Sequence, residues 1–182
     1  MRYRLDVVAA NVVDVVMCAG GWLFDRAMAG WDVTVLVSDH PGLVADRQDD
    51  RPLQILGVQR FDLEEALAAI GSGAATRPRP QALAVAADLF GCDSRVRQGV
   101  LQALDHGATE VTLWGESWPP ELDDSVGLVQ HRLSTAAQIF KARALAATLK
   151  ICAPESSIGH TETFRSGLLA SLSAAADLVP AG

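Results

Sequence analysis

The sequence predicts an α/β fold: a three-layer, Rossmann-like arrangement with a mostly parallel sheet and helices on both faces. Three observations carry this. Residues 5–39 read strand, helix, strand. Short apolar or β-branched runs then alternate with helix-period segments along the rest of the chain. Nearly half the residues are apolar while only 5% are aromatic, so the core is expected to be built from Ala, Val and Leu.

In the opening unit, Leu5, Val7 and Val8 form the run expected of a strand buried on both faces. Asn11 breaks that run where a strand hands over to a helix. Val12, Val15, Val16, Ala19, Trp22, Leu23 and Ala27 then recur at helical spacing and define one apolar face. Asp14, Cys18, Gly21 and Asp25 fall on another stripe of the same helix. Gly30 suits the left-handed position that ends many helices. Trp31 to Val37 is apolar and β-branched enough for a second central strand. A helix between two such strands is a right-handed crossover, so the strands are expected to be parallel. Gly20 and Gly21 sit inside the helix, where each costs about 1 kcal/mol relative to alanine. Close packing of helix on sheet explains them, and room for a ligand at the strand edge is the functional reading.

Residues 38–52 form a polar loop carrying His40 and the acids Asp39, Asp46, Asp49 and Asp50, which read as solvated charge before they read as a metal loop. Residues 64–70 suit a modest helix, and residues 71–80 are the expected flexible segment. Residues 82–87 fit a third buried strand or a short helix. Asp93 or Ser94 offers a helix N-cap; Val96, Val100, Leu101 and Leu104 give that helix its buried face, and Gly107 ends it. Residues 109–114 and 126–133 read as strands, with a rigid Trp118-Pro119-Pro120 turn between them. Thr135 and Gln138 suggest a capping box for a helix turning Ala136, Phe140, Ala144 and Ala147 inward. An alanine-rich helix is expected over residues 163–178. The whole chain, 1–182, reads as one domain.

Composition excludes several classes. The net charge of −7 and the lack of a basic cluster argue against a nucleic-acid partner. No run of 18 apolar residues exists, so no membrane span is expected. The first residues lack the apolar region of a signal peptide. Cys18, Cys92 and Cys152 are widely spaced and odd in number, fitting neither a disulfide framework nor a zinc knuckle; a reducing cytoplasm is the natural location. Neither G-x-G-x-x-G nor G-x-x-x-x-G-K-[ST] occurs, and no G-x-S-x-G elbow is present.

Ala10-Asn11-Val12-Val13-Asp14-Val15, followed by Gly20-Gly21, Ala29-Gly30 and Val33-Thr34-Val35, resembles the N-terminal unit of the LmbE/PIG-L family of zinc-dependent N-acetylglucosaminyl deacetylases. In that family the first of these segments reads A-H-P-D-D-E. The resemblance extends through Leu53 to Val58, Leu113-Trp114-Gly115 and Phe140 to Leu145, to about Leu149. It implies a metal held by the motif's histidine and second aspartate, with the first aspartate as general base. This chain has Asn11, Asp14 and Val13 in those places. The family's second metal motif, H-x-D-H, matches best at Gly91-Cys92-Asp93-Ser94, which keeps only the aspartate.

Zinc hydrolysis needs fixed ligands, an open coordination position and a base near the activated water. Asparagine is a poor zinc ligand, valine takes no proton and serine does not replace imidazole. The sequence therefore reads as a catalytically lapsed relative with no catalytic residue and no cofactor. Asp14 remains as a remnant ligand, and Asn11, Asp14, Asp93, Ser94, Trp114 and His131 line the former cleft. The expected partner is a small molecule or a protein, with a homo-oligomer open. One alternative is an active amidohydrolase with zinc rebuilt around Asp14 and either His40 or His131; another is a structural protein whose cleft is filled by Trp22 or Trp114. His106 is expected to cap a helix C-terminus and His160 to be solvated.

Overall fold

Strands rich in Val, Leu and Ala need both faces covered, and among the described residues eight strands form one sheet, ordered β3-β2-β1-β4-β5-β7-β6-β8. A computed structural model describes residues 3–38, 49–71, 79–115, 120–122, 126–149, 159–167 and 178–180. The elements are β1 (Arg4–Ala9), α1 (Val12–Met28), β2 (Asp32–Val37), α2 (Arg51–Ile55), β3 (Gln59–Asp62), α3 (Leu63–Gly71), β4 (Ala82–Ala86), α4 (Ala87–Cys92), α5 (Ser94–His106), β5 (Glu110–Trp114), β6 (Val126–Arg132), α6 (Thr135–Leu149), β7 (Thr161–Gly167) and β8 (Leu178–Pro180).

The first five strands are parallel, with Leu5 opposite Val33 and Ala82 across the centre. The chain runs from β1 outward to β2 and β3, then returns to place β4 on the other side of β1. Right-handed crossovers in opposite directions put α1 and α5 on opposite faces, which gives the three layers. The strand order reverses between β1 and β4, so the crevice beyond their carboxyl ends is where such sheets bind ligands. Residues 82–87 divide at Ala86: strand up to that point, helix from Ala87.

The remaining three strands are antiparallel to their neighbours: β7 pairs with β5 and β6, and β8 with β6. Here two expectations fail. Residues 163–167 are strand, not the start of a helix, and residue 178 opens β8; residues 168–177 lie outside the described residues. Alternation decides it, since Glu162, Phe164 and Ser166 are buried while Thr161 and Thr163 are exposed, a period of two that the alanines downstream obscure. The cap of α6 is Ser134 rather than Thr135, because the Ser134 hydroxyl accepts the Ala137 amide at 3.0 Å. That one-residue shift turns Ala137, Lys141 and Ala144 inward and leaves Ala136 exposed. Phe140 is half-buried and stacks on Phe24 at 4.6 Å.

The remaining caps follow the sequence. Gly30 takes φ +90° after α1 and Gly107 φ +62° after α5. His106 bonds the Gln102 carbonyl at 2.7 Å, near the end of α5. Most of the polar loop, including His40, Asp39 and Asp46, lies outside the described residues, as do Trp118 and Pro119 and all but the ends of 71–80. No helix among the described residues is long and apolar enough to cross a membrane.

Candidate functional site

The first turn of α1 starts directly beyond β1, at the strand-order reversal. Asn11 is extended, and its side-chain oxygen accepts the Asp14 amide at 2.8 Å, so it is an N-cap. Val13 is partly exposed. Asp14 is half-buried, and both of its oxygens are engaged. The Trp114 indole, at the end of β5, donates to Oδ2 at 2.9 Å, and the Cys18 thiol donates to Oδ1 at 3.4 Å. Burial first, then the charge and hydrogen bond of Asp14, push the Cys18 thiol up to about 12, so it is not a thiolate nucleophile.

Further along the same stripe, Gly21 and Asp25 meet the antiparallel strands. A Cβ on Gly21 would lie 1.4 Å from Cδ2 of Leu133, so only glycine fits. Into the space beside it reaches Glu162 of β7, whose carboxylate accepts the amides of Gly21 at 2.9 Å and Trp22 at 2.7 Å. Lys141 of α6 donates to Glu162 at 2.5 Å and to the Met17 carbonyl at 2.7 Å. Burial pushes the Glu162 carboxyl above its usual range, against the pull of Lys141 and the two amides. Asp25 takes the His131 ring at 2.8 Å and the Ser134 hydroxyl at 2.6 Å.

Of the six cleft candidates, the structure joins Asn11, Asp14 and Trp114. His131 is buried on Asp25, eleven residues or about 16 Å along α1 from Asp14. Asp93 caps α5 by accepting the amides of Arg95 and Val96, and Arg95 also grips Glu64 of α3. The Arg95 hydrogen bond lowers the Asp93 carboxyl to about 2. Asp93 and exposed Ser94 make no described contact with Asp14 or Trp114. Exposed His160 bonds Gln138 at 3.1 Å. The Lys141–Glu162 pair is absent from the sequence reading; its one signal is a lone glutamate on the inward register of β7.

The donor set fits zinc poorly. Asn11 is committed to the helix start, and donors already compete for both oxygens of Asp14. Among the described residues no group of three His, Cys, Asp or Glu side chains is placed to hold a metal.

No protein-family model matches the sequence, and no curated protein matches it significantly. Solved structures do. One is the deacetylase Dbv21 that acts on the A40926 pseudoaglycone, at a TM-score of 0.59 and 16% identity, covering 91% of this chain and 97% of that one. Another is the N,N'-diacetylchitobiose deacetylase of Pyrococcus horikoshii, at 0.57 and 12%, covering 96% and 88%. A third is the 4-carboxy-2-hydroxymuconate hydratase of Pseudomonas putida, at 0.51 and 12%, covering 91% and 95%. Identities this low carry the architecture and leave the reaction open. The chain has the fold of the LmbE/PIG-L-type deacetylases.

Proposed function

We propose that this chain is a non-hydrolytic relative of those deacetylases, using the hollow beyond β1 and β5 as a binding surface for a small molecule or a protein. The observation that carries the reading is the state of Asp14. Its carboxylate, the one remaining counterpart of a metal ligand, is tied to the Trp114 indole and the Cys18 thiol. Beside it an amide caps the helix, and an alkyl side chain stands where a base would be needed. With Asp14 engaged by two donors and no second charged side chain beside it, the site lacks the set of groups that activates water.

Elemental analysis of the purified protein and an assay on N-acetylglucosaminides test this. The expected result is no stoichiometric zinc and no release of acetate. Stoichiometric zinc, with hydrolysis abolished by Asp14→Ala, would overturn it in favour of a rebuilt metal site. Such a site would need a partner other than His131, whose contact Asp25 lies about 16 Å along α1 from Asp14.

A further inference from the structure

We propose that Lys141 and Glu162 are positioning residues for Asp14: together they clasp the middle of α1 and set the height at which its first turns stand over Trp114. The proposal concerns where Asp14 is held, not what binds there, so it stands or falls separately from the functional reading above.

The argument is geometric. Met17 and Gly21 are the i and i+4 partners of one helical step. The clasp engages both, Lys141 taking the Met17 carbonyl at 2.7 Å and Glu162 the Gly21 amide at 2.9 Å. Glu162 also takes the next amide, of Trp22. A side-chain pair that grips both ends of one step fixes the helix along its axis as well as across it.

The sheet holds the other attachment point. β7 carries Glu162 and pairs with β5 through Thr112–Ser166 and Leu113–Arg165, and β5 ends on Trp114. Glu162 and Trp114 are therefore fixed relative to each other by strand register, about two residues apart along neighbouring strands. On α1 their targets, Gly21 and Asp14, lie seven residues or about 10 Å apart. Two points on one rigid sheet hold two points on one helix. The clasp side chains are 8% and 3% exposed, and Trp114 is as buried, while Asp14 is half-buried. The clasp makes three bonds to the middle of α1, and the single Asp14–Trp114 bond follows from the position they set.

The test reads the Trp114 indole N–H by nuclear magnetic resonance, its signal assigned with Trp114→Phe. Spectra are compared for wild type, Glu162→Gln, the apolar double variant Lys141→Met/Glu162→Leu, and Val100→Ala as a destabilised control in α5. The expected result is a displaced Trp114 resonance, with its hydrogen exchange about tenfold faster or more, in both clasp variants and not in the control. An unmoved Trp114 signal in the folded double variant would overturn the proposal. An equal change in Val100→Ala would also overturn it, since general loosening would then explain the effect. If Glu162→Gln fails to fold, the double variant decides, because an apolar pair leaves no buried charge unmatched.

Discussion

The two halves of the sheet are fastened to their helices by different physics. In the parallel half, Leu5, Val7, Val35, Ala84 and Val85 have no exposed surface, and neither do Val15, Val16, Ala19 and Leu23 of α1. In the antiparallel half, α1 is met by the buried polar side chains of Glu162, Lys141 and His131, alongside Phe164, which packs on Trp22, and Leu133 beside Gly21. Dispersion and hydrophobic burial hold the first contact through many weak, non-directional contributions. The second adds a few directional, charge-assisted hydrogen bonds to its apolar contacts. A single helix thus has one mainly apolar contact and another in which buried polar bonds add placement.

Breaking the polar side singly should have the largest effect. Lys141→Ala leaves Glu162 buried without its cation, and urea unfolding should show a loss of about 3–5 kcal/mol. The Lys141→Met/Glu162→Leu pair should come within about 1 kcal/mol of wild type in the same assay. A double variant as unstable as the single would mean that these charges supply stability as well as placement.

The adjacent glycines sharpen the contrast at one-residue resolution. Gly21→Ala drives a methyl into Leu133 and should cost about 1–3 kcal/mol. Gly20→Ala meets only ordinary contacts, the nearest being Leu56 at 3.4 Å. It should be neutral or stabilising by up to about 1 kcal/mol, through helix propensity. Thermal unfolding of the two variants side by side checks both signs.

Acidity separates the halves as well. The native Glu162 carboxyl binds its proton more tightly than the unfolded chain does, at the usual 4.5, so its contribution to stability falls as pH rises above that value. Urea midpoints measured between about pH 4 and 8 should lose this slope in Glu162→Gln. Asp93 acts in the opposite sense. Its native carboxyl is lowered to about 2 from 3.8, so its contribution is complete above 3.8 and drains as pH falls towards 2. The Asp93–Arg95 contact is largely exposed, so that effect is small. Asp93→Ala should cost about 1 kcal/mol at neutral pH, mainly as a lost helix cap.

The same division decides what could be read from the chain. Periodicity marked β1, α1 and β2 because each buries apolar residues at a period set by its own geometry. Local chemistry marked Asp93 and Gly107 as helix ends, because capping partners lie within a few residues. The stripe of Asp14, Cys18, Gly21 and Asp25 was legible as a stripe. Its partners were not, since Trp114, Glu162 and His131 lie 100 or more residues away along the chain. Nothing local distinguishes the His131 that meets Asp25 from one that reaches a cleft. β7 was hidden for a related reason: its seven residues, TETFRSG, alternate correctly but precede an alanine-rich run whose helical composition dominates the window. The departures from A-H-P-D-D-E at Asn11, Val13 and Val15 were legible because a difference in residue type needs no distant partner to be noticed.

Among the described residues the sheet's two rims are β3 at one end and β8 at the other. β3 is four residues long and bears Arg60 and Asp62; β8 is three residues long and finishes on Pro180, whose ring nitrogen has no hydrogen to offer. Short, charged or proline-closed borders give a foreign strand little to zip onto. At high concentration, copies of this chain should therefore resist growing into continuous cross-molecular ribbons.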